Sequence, residues 1–221
     1  MTYIEKVNTL FFQVLMEHLP RWTISWAIKQ TSRCLNYPFL CSLDIMESNS
    51  QSIVERTKGF VEEMKKNIGE DKVSVEGHDS LKAEKAGAPV VIDVGIPAEV
   101  KDADAAAVAS AILEKSDLIA IYGSNEFAAN AIITANEGLD KLGADKVIAV
   151  GFDAGKKLLD AVRAKTFAGA VTQDPVQIGY QAVKLAVEAA DGKSVSDVDT
   201  GAKWYNADNM DADDIKHCLY E

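Results

Sequence analysis

Residues 117–183 carry three segments that decide the reading: DLIAIYGSNEFAANAI (117–132), DKVIAVGFDAGKKLLDAV (145–162) and FAGAVTQDPVQIGYQAV (167–183). Each begins with a short apolar run, meets a small or polar cluster, and passes into apolar residues at helical spacing. Strands alternating with helices of this length predict βαβ units and an open parallel α/β sheet with helices on both faces. In such sheets, ligands bind outside the carboxyl ends of the strands. Those ends carry Asn125, Asp153 and Gln173. They supply hydrogen-bonding groups but no nucleophile, a chemistry suited to a polyhydroxylated small molecule.

Working outward, Ser50–Lys66 has helical spacing at Ile53, Val54, Phe60, Val61 and Met64. Pro89–Val94 and Leu118–Tyr122 read as strands, and Ala103–Lys115 reads as a helix. Val147–Val150 and Ala168–Thr172 are two further strands. Helices are predicted over Glu126–Leu142, Gly155–Ala164 and Val176–Ala190. Asn67–Ala88 fits the repeat poorly and reads as an insertion, with a short strand at Val73–Val75 and a short helix at Ser80–Ala86.

Composition breaks near residue 43. Residues 1–43 hold Tyr3, Phe11, Phe12, Trp22, Trp26, Tyr37 and Phe39 but no glycine. Lys6, Arg21, Lys29 and Arg33 against Glu5 and Glu17 leave this segment at +2, in a chain of net charge −11. Helical spacing runs to about His18, and a second helix is expected over Trp22–Gln30. The segment is therefore read as a helical, aromatic-rich unit, and 44–221 as the α/β domain.

The pI of about 4.8 gives no basic footprint for nucleic acid. No run of 18 apolar residues occurs, and the start of the chain shows no signal-peptide pattern. Cys34, Cys41 and Cys218 have no zinc-knuckle spacing. His18, His78 and His217 fall in unlike segments, so no metal is expected. His217-Cys218 suggests a thiol–imidazole pair, but the sequence offers no third group beside it. The acidic run Asp208–Asp214 lacks the spacing of a calcium loop and reads as a helix start. Dinucleotide, P-loop, nucleophile-elbow and zinc-protease motifs are missing, so no cofactor and no reaction are indicated.

Five segments together resemble one family: SIVERTKGF (52–60), AIYGSNEFAANA (120–131), VIAVGFDAGKKLLDAV (147–162), FAGAVTQDPVQIGYQAV (167–183) and NADNMDADDIKHCLYE (206–221). They resemble the type 1 periplasmic sugar-binding proteins of ABC transporters, the ribose-binding protein group, chiefly their C-terminal lobe. The resemblance implies a Rossmann-like lobe that binds a monosaccharide or similar polyol and catalyses nothing. It implies sugar contacts at Arg56, Asn125, Asp153 and Gln173. In intact members the partner is a membrane permease, and the location is periplasmic or extracellular and membrane-associated.

The family's first lobe has no counterpart in this sequence, so the resemblance implies a truncated protein with weak binding. The helix Val176–Ala190, with Ile178, Val183, Leu185 and Val187, loses its usual neighbour. Residues 1–43 or a second copy, forming a homodimer, are expected to cover it, and Leu185→Glu is expected to disturb solubility or oligomeric state. The effector domain of lactose-repressor-type regulators shares the core and is the alternative. It needs a basic helix-turn-helix that four Lys/Arg in residues 1–43 do not supply. An α/β enzyme of unknown class is the third reading.

Overall fold

The computed structural model describes the backbone of residues 39–44 and, with side chains, residues 50–220. The helices expected over residues 4–18 and 22–30 lie outside the described residues. Among the described residues the sheet has seven strands: β1 (Phe39–Asp44), β2 (Val73–Glu76), β3 (Val90–Gly95), β4 (Leu118–Gly123), β5 (Ile148–Phe152), β6 (Gly169–Gln173) and β7 (Ala202–Tyr205). Their order is β2-β3-β1-β4-β5-β6-β7. All neighbours pair parallel except β6 and β7, which are antiparallel. Every residue of β5 is buried. This is the expected state of a parallel strand covered on both faces, and it explains why the run IAVGF does not alternate.

The first part of the domain differs from the sequence reading in two places. First, the sheet begins at Phe39, before the composition break, and β1 is an interior strand paired with β3 on one side and β4 on the other. FLCSLD is a short apolar run next to helix-like sequence, and periodicity alone cannot tell such a run from helix. Second, residues 80–86 form no helix. Seven residues repay helix nucleation poorly. The segment instead returns along β2, where Val75 N–H donates to the Ala83 carbonyl at 3.1 Å and Ala83 N–H donates to the Val75 carbonyl at 3.0 Å. These bonds satisfy backbone groups on an edge strand.

The helices divide between the two faces. On one face, α1 (Gln51–Ile68) buries Ile53, Phe60, Val61 and Met64 against Val75, Ile92, Val94 and Tyr122. The Phe60 and Tyr122 rings stack with centroids 5.5 Å apart. On the other face lie α2 (Asp102–Leu113), α3 (Glu126–Leu139) and α4 (Lys156–Arg163). They bury Leu113, Ile132, Leu158 and Val162 against Ile121, Ala149 and Ala170. Each fully buried Leu, Ile, Val or Phe among them contributes about 1.5–3 kcal/mol of transfer free energy. A close approach fixes where α3 starts. A Cβ on Gly123 would lie 2.6 Å from the Ala129 backbone nitrogen, so only glycine lets the first turn of α3 sit on the end of β4.

The fifth helix, α5 (Pro175–Ala190), behaves differently, since none of its 16 residues is buried. Val176, Ile178, Tyr180, Val183 and Val187 are exposed. Leu185 is half-buried beside Val195 and Val198 of the following segment. The chain then forms β7 and a short helix, α6 (Asp213–Lys216), whose Ile215 is buried. Among the described residues no helix is long and apolar enough to cross a membrane.

Candidate ligand-binding site

The strand order reverses at β1. From there the chain builds β2 and β3 on one side and then crosses to β4 on the other. An open α/β sheet has its crevice at such a switch point, outside the carboxyl ends of the strands. Three of the four residues expected at the site meet there. Arg56, on the second turn of α1, donates from Nη1 to the Ser124 carbonyl at 3.0 Å and from Nη2 to Gln173 Oε1 at 3.3 Å. Its Nη1 lies 3.7 Å from Asp153 Oδ2. The guanidinium carbon sits 3.7 Å from the centroid of the Phe152 ring. Arg56 thus draws the ends of β4, β5 and β6 together. A guanidinium has five N–H donors, more than the two hydrogen bonds it makes among the described residues, so it has donors to offer a ligand.

Asp153 is the most constrained residue of the group. Its φ of 76° lies in the left-handed region, which Asp and Asn tolerate better than most side chains. The turn aims its carboxylate back at α3, where Oδ2 accepts from Glu126 N–H at 3.1 Å. Burial pushes the Asp153 carboxyl up from its ordinary value, against the opposing pull of Arg56 and of that N–H. The site therefore holds a carboxylate that is less well solvated than it would be in water. Ligand hydroxyls donating to it would supply the missing hydrogen bonds.

Asn125 stands at the same sheet edge but is partly committed. It is the N-cap of α3, and its Oδ1 accepts from Ala128 N–H at 2.9 Å. At β6 the cap is Asp174, whose Oδ1 accepts from Gln177 N–H at 2.9 Å, with Pro175 in the first turn. Gln173 is spared that task and faces Arg56.

Sequence reasoning missed three aromatic residues here. Phe152 lies under Arg56. Tyr205 donates its hydroxyl to the Asp153 carbonyl at 2.7 Å, and burial pushes its phenol up. Ala154 N–H donates to the Tyr220 hydroxyl at 3.3 Å. Phe152 was legible as a residue at a strand end. The two tyrosines carry no local signal, because the Tyr205 and Tyr220 bonds span 52 and 66 residues of chain.

Residues 44–194 match the family model described as periplasmic binding protein domain. The chain belongs to this periplasmic binding protein family. A solved structure from Brachyspira murdochii, described as an ABC transporter, LacI family transcriptional regulator, is 30% identical with a TM-score of 0.76, covering 100% of this chain and 66% of that one. An ABC transporter solute-binding protein from Agrobacterium vitis with bound D-fucose is 19% identical with a TM-score of 0.72, covering 100% and 63%. A carbohydrate transporter solute-binding protein from Agrobacterium radiobacter in complex with D-arabinose is 20% identical with a TM-score of 0.68, covering 99% and 64%. The last two, at this identity, support the shared fold alone. The chain spans 63–66% of the length of these three neighbours. No curated protein matches it.

Proposed function

We propose that this chain is the sugar-binding component of an ABC-type transporter, in which Arg56, Asn125, Asp153 and Gln173 contact a monosaccharide or similar polyol. The meeting of Asp153 and Gln173 at Arg56, whose guanidinium rests on the Phe152 ring at the switch point, carries the reading. A cation, a desolvated carboxylate and an amide at one sheet edge match a ring with many hydroxyls, and the buried Phe152 ring supports the cation from beneath. In this reading the residues bind and orient a ligand and the function is not catalytic. A membrane permease is the proposed partner, and the space outside the cytoplasmic membrane the proposed location.

The wall supplied by this lobe covers one side of a ligand, so affinity is expected in the millimolar range. Thermal shift against pentoses, hexoses and polyols tests this. Ligand at about ten times its Kd should stabilise the fold by about 1.4 kcal/mol. The response should vanish in Arg56→Met, which keeps an unbranched aliphatic stem but removes the donors. A panel without a responder at tens of millimolar would sink the sugar reading. Micromolar affinity would overturn the one-sided site.

Pairing of two copies through the apolar face of α5 is also proposed, because a face carrying Val176, Tyr180, Val183 and Val187 is uncovered among the described residues. Val183, 67% exposed, is a better probe than the half-buried Leu185. Val183→Glu should convert a sedimenting dimer to monomer. A native protein that already sediments as a monomer ends this proposal and leaves residues 1–38 as the cover.

A further inference from the structure

The end of the chain folds back over β6. Thr172 Oγ1 donates to the Cys218 carbonyl at 3.0 Å, and α6 brings His217 and Cys218 beside Asp174. One ligand atom from each of Asp174, His217 and Cys218 lies within 4.8 Å of the other two. His217 and Asp174 are 43 residues apart in sequence, which is why His217-Cys218 shows no third group in the sequence.

Protonation sharpens the geometry. His217 Nδ1 lies 3.1 Å from the Asp213 carbonyl oxygen, which can only accept, so Nδ1 carries its hydrogen. Nε2 lies 3.4 Å from Asp174 Oδ2, again an acceptor only. In the neutral ring that arrangement sets the Nε2 lone pair against a carboxylate. A metal cation between them would relieve that repulsion, as would a proton. The 3.4 Å separation is long for a hydrogen bond. It is close to the N···O edge, about 3.3–3.5 Å, of a tetrahedron with zinc bond lengths of about 2.0–2.2 Å.

The third group favours the metal. Cys218 is buried, a soft ligand where a proton-bridged ion pair would need none. Asp174 Oδ1 is held by Gln177 N–H, leaving Oδ2 as a monodentate oxygen. Burial pushes the Cys218 thiol up, with the Asp174 carboxylate adding to the effect.

We propose that Asp174, His217 and Cys218 form a three-residue site for a borderline divalent transition-metal ion, zinc foremost, with the fourth position open to water. Binding expels the thiol proton, and affinity rises with pH. The ion would pin the C-terminal segment to the start of α5, one residue after Gln173. The site stands independently of the sugar reading.

Cobalt(II) titration of the reduced, metal-stripped full chain tests it. One equivalent should produce a thiolate-to-cobalt charge-transfer band with tetrahedral visible bands, and zinc should displace them. Cys218→Ser should abolish the charge-transfer band. His217→Ala, at an exposed ring, should weaken affinity about tenfold or more while leaving the metal-free melt unchanged. Zinc should raise the melting temperature of the native protein but not of a variant carrying both His217→Ala and Cys218→Ser. A cooperatively melting protein without the band overturns the site. So does a band that survives Cys218→Ser, which would place the metal on another thiol. A His217 ring that titrates as imidazolium, with no response to metal, assigns the pair to a proton and also overturns it.

Discussion

Phe152→Ala should lower the unfolding free energy by about 3–5 kcal/mol, the largest loss expected from any single truncation at the site. The Phe152 ring has no exposed surface and packs with Val150, Val171 and Tyr122 on the α1 side of the sheet. Truncation removes its transfer energy and leaves a cavity that a central strand cannot close. It also removes the surface on which the Arg56 guanidinium rests, 3.7 Å from the ring centroid. Phe152→Leu separates the two roles. It should recover most of the packing while losing the cation–π term, about 1 kcal/mol for a partly desolvated pair. Urea unfolding measures both. A loss below about 1 kcal/mol for the alanine variant would show that this ring is not the core element described.

Asp153→Ala should cost about 2–3 kcal/mol at neutral pH. Alanine pays about 1–2 kcal/mol at a left-handed φ. It also leaves Glu126 N–H without its acceptor and Arg56 without its carboxylate, whose side chains are only 11% (Arg56) and 20% (Asp153) exposed. Asp153→Gly should recover the backbone part. Asp153→Asn keeps the tolerated backbone and an oxygen acceptor, so its loss should stay within about 1 kcal/mol, yet it should abolish any sugar response.

The pH dependence follows from burial. The folded carboxyl has a higher pKa than the unfolded one, so the folded state binds the proton more tightly. Its contribution to stability is complete below the ordinary value of 3.8 and is lost as pH rises through the folded value. Across that window the Asn variant should gain stability relative to the native protein. The opposite trend would mean that attraction to Arg56 outweighs desolvation.

Much of the fold was legible in the chain because it rests on local period and punctuation. Leu118–Tyr122 was expected as a strand and forms within Leu118–Gly123. Val176–Ala190 was expected as a helix and forms from Pro175 to Ala190, capped by Asp174 as the Asp-Pro pair suggests. The helix expected to Leu142 stops at Leu139, where Asp140 turns left-handed at φ 48°. Gly138, two residues earlier, was the nearer signal. β7 went unseen, since AKWY is four residues with weak alternation and forms by antiparallel pairing to β6.

The sequence by itself determined the α/β class, the strand ends that carry Asn125, Asp153 and Gln173, and the helix that carries Arg56, because each depends on residues a few positions apart. Only the tertiary structure decided that β1 starts at Phe39 and lies inside the sheet, between β3 and β4. It alone placed Arg56 against Gln173, 117 residues away, and Tyr205 against Asp153. It also brought Asp174 to His217 and Cys218. Such contacts come from strand order and chain return, which bring distant residues to one edge and leave no trace in local spacing.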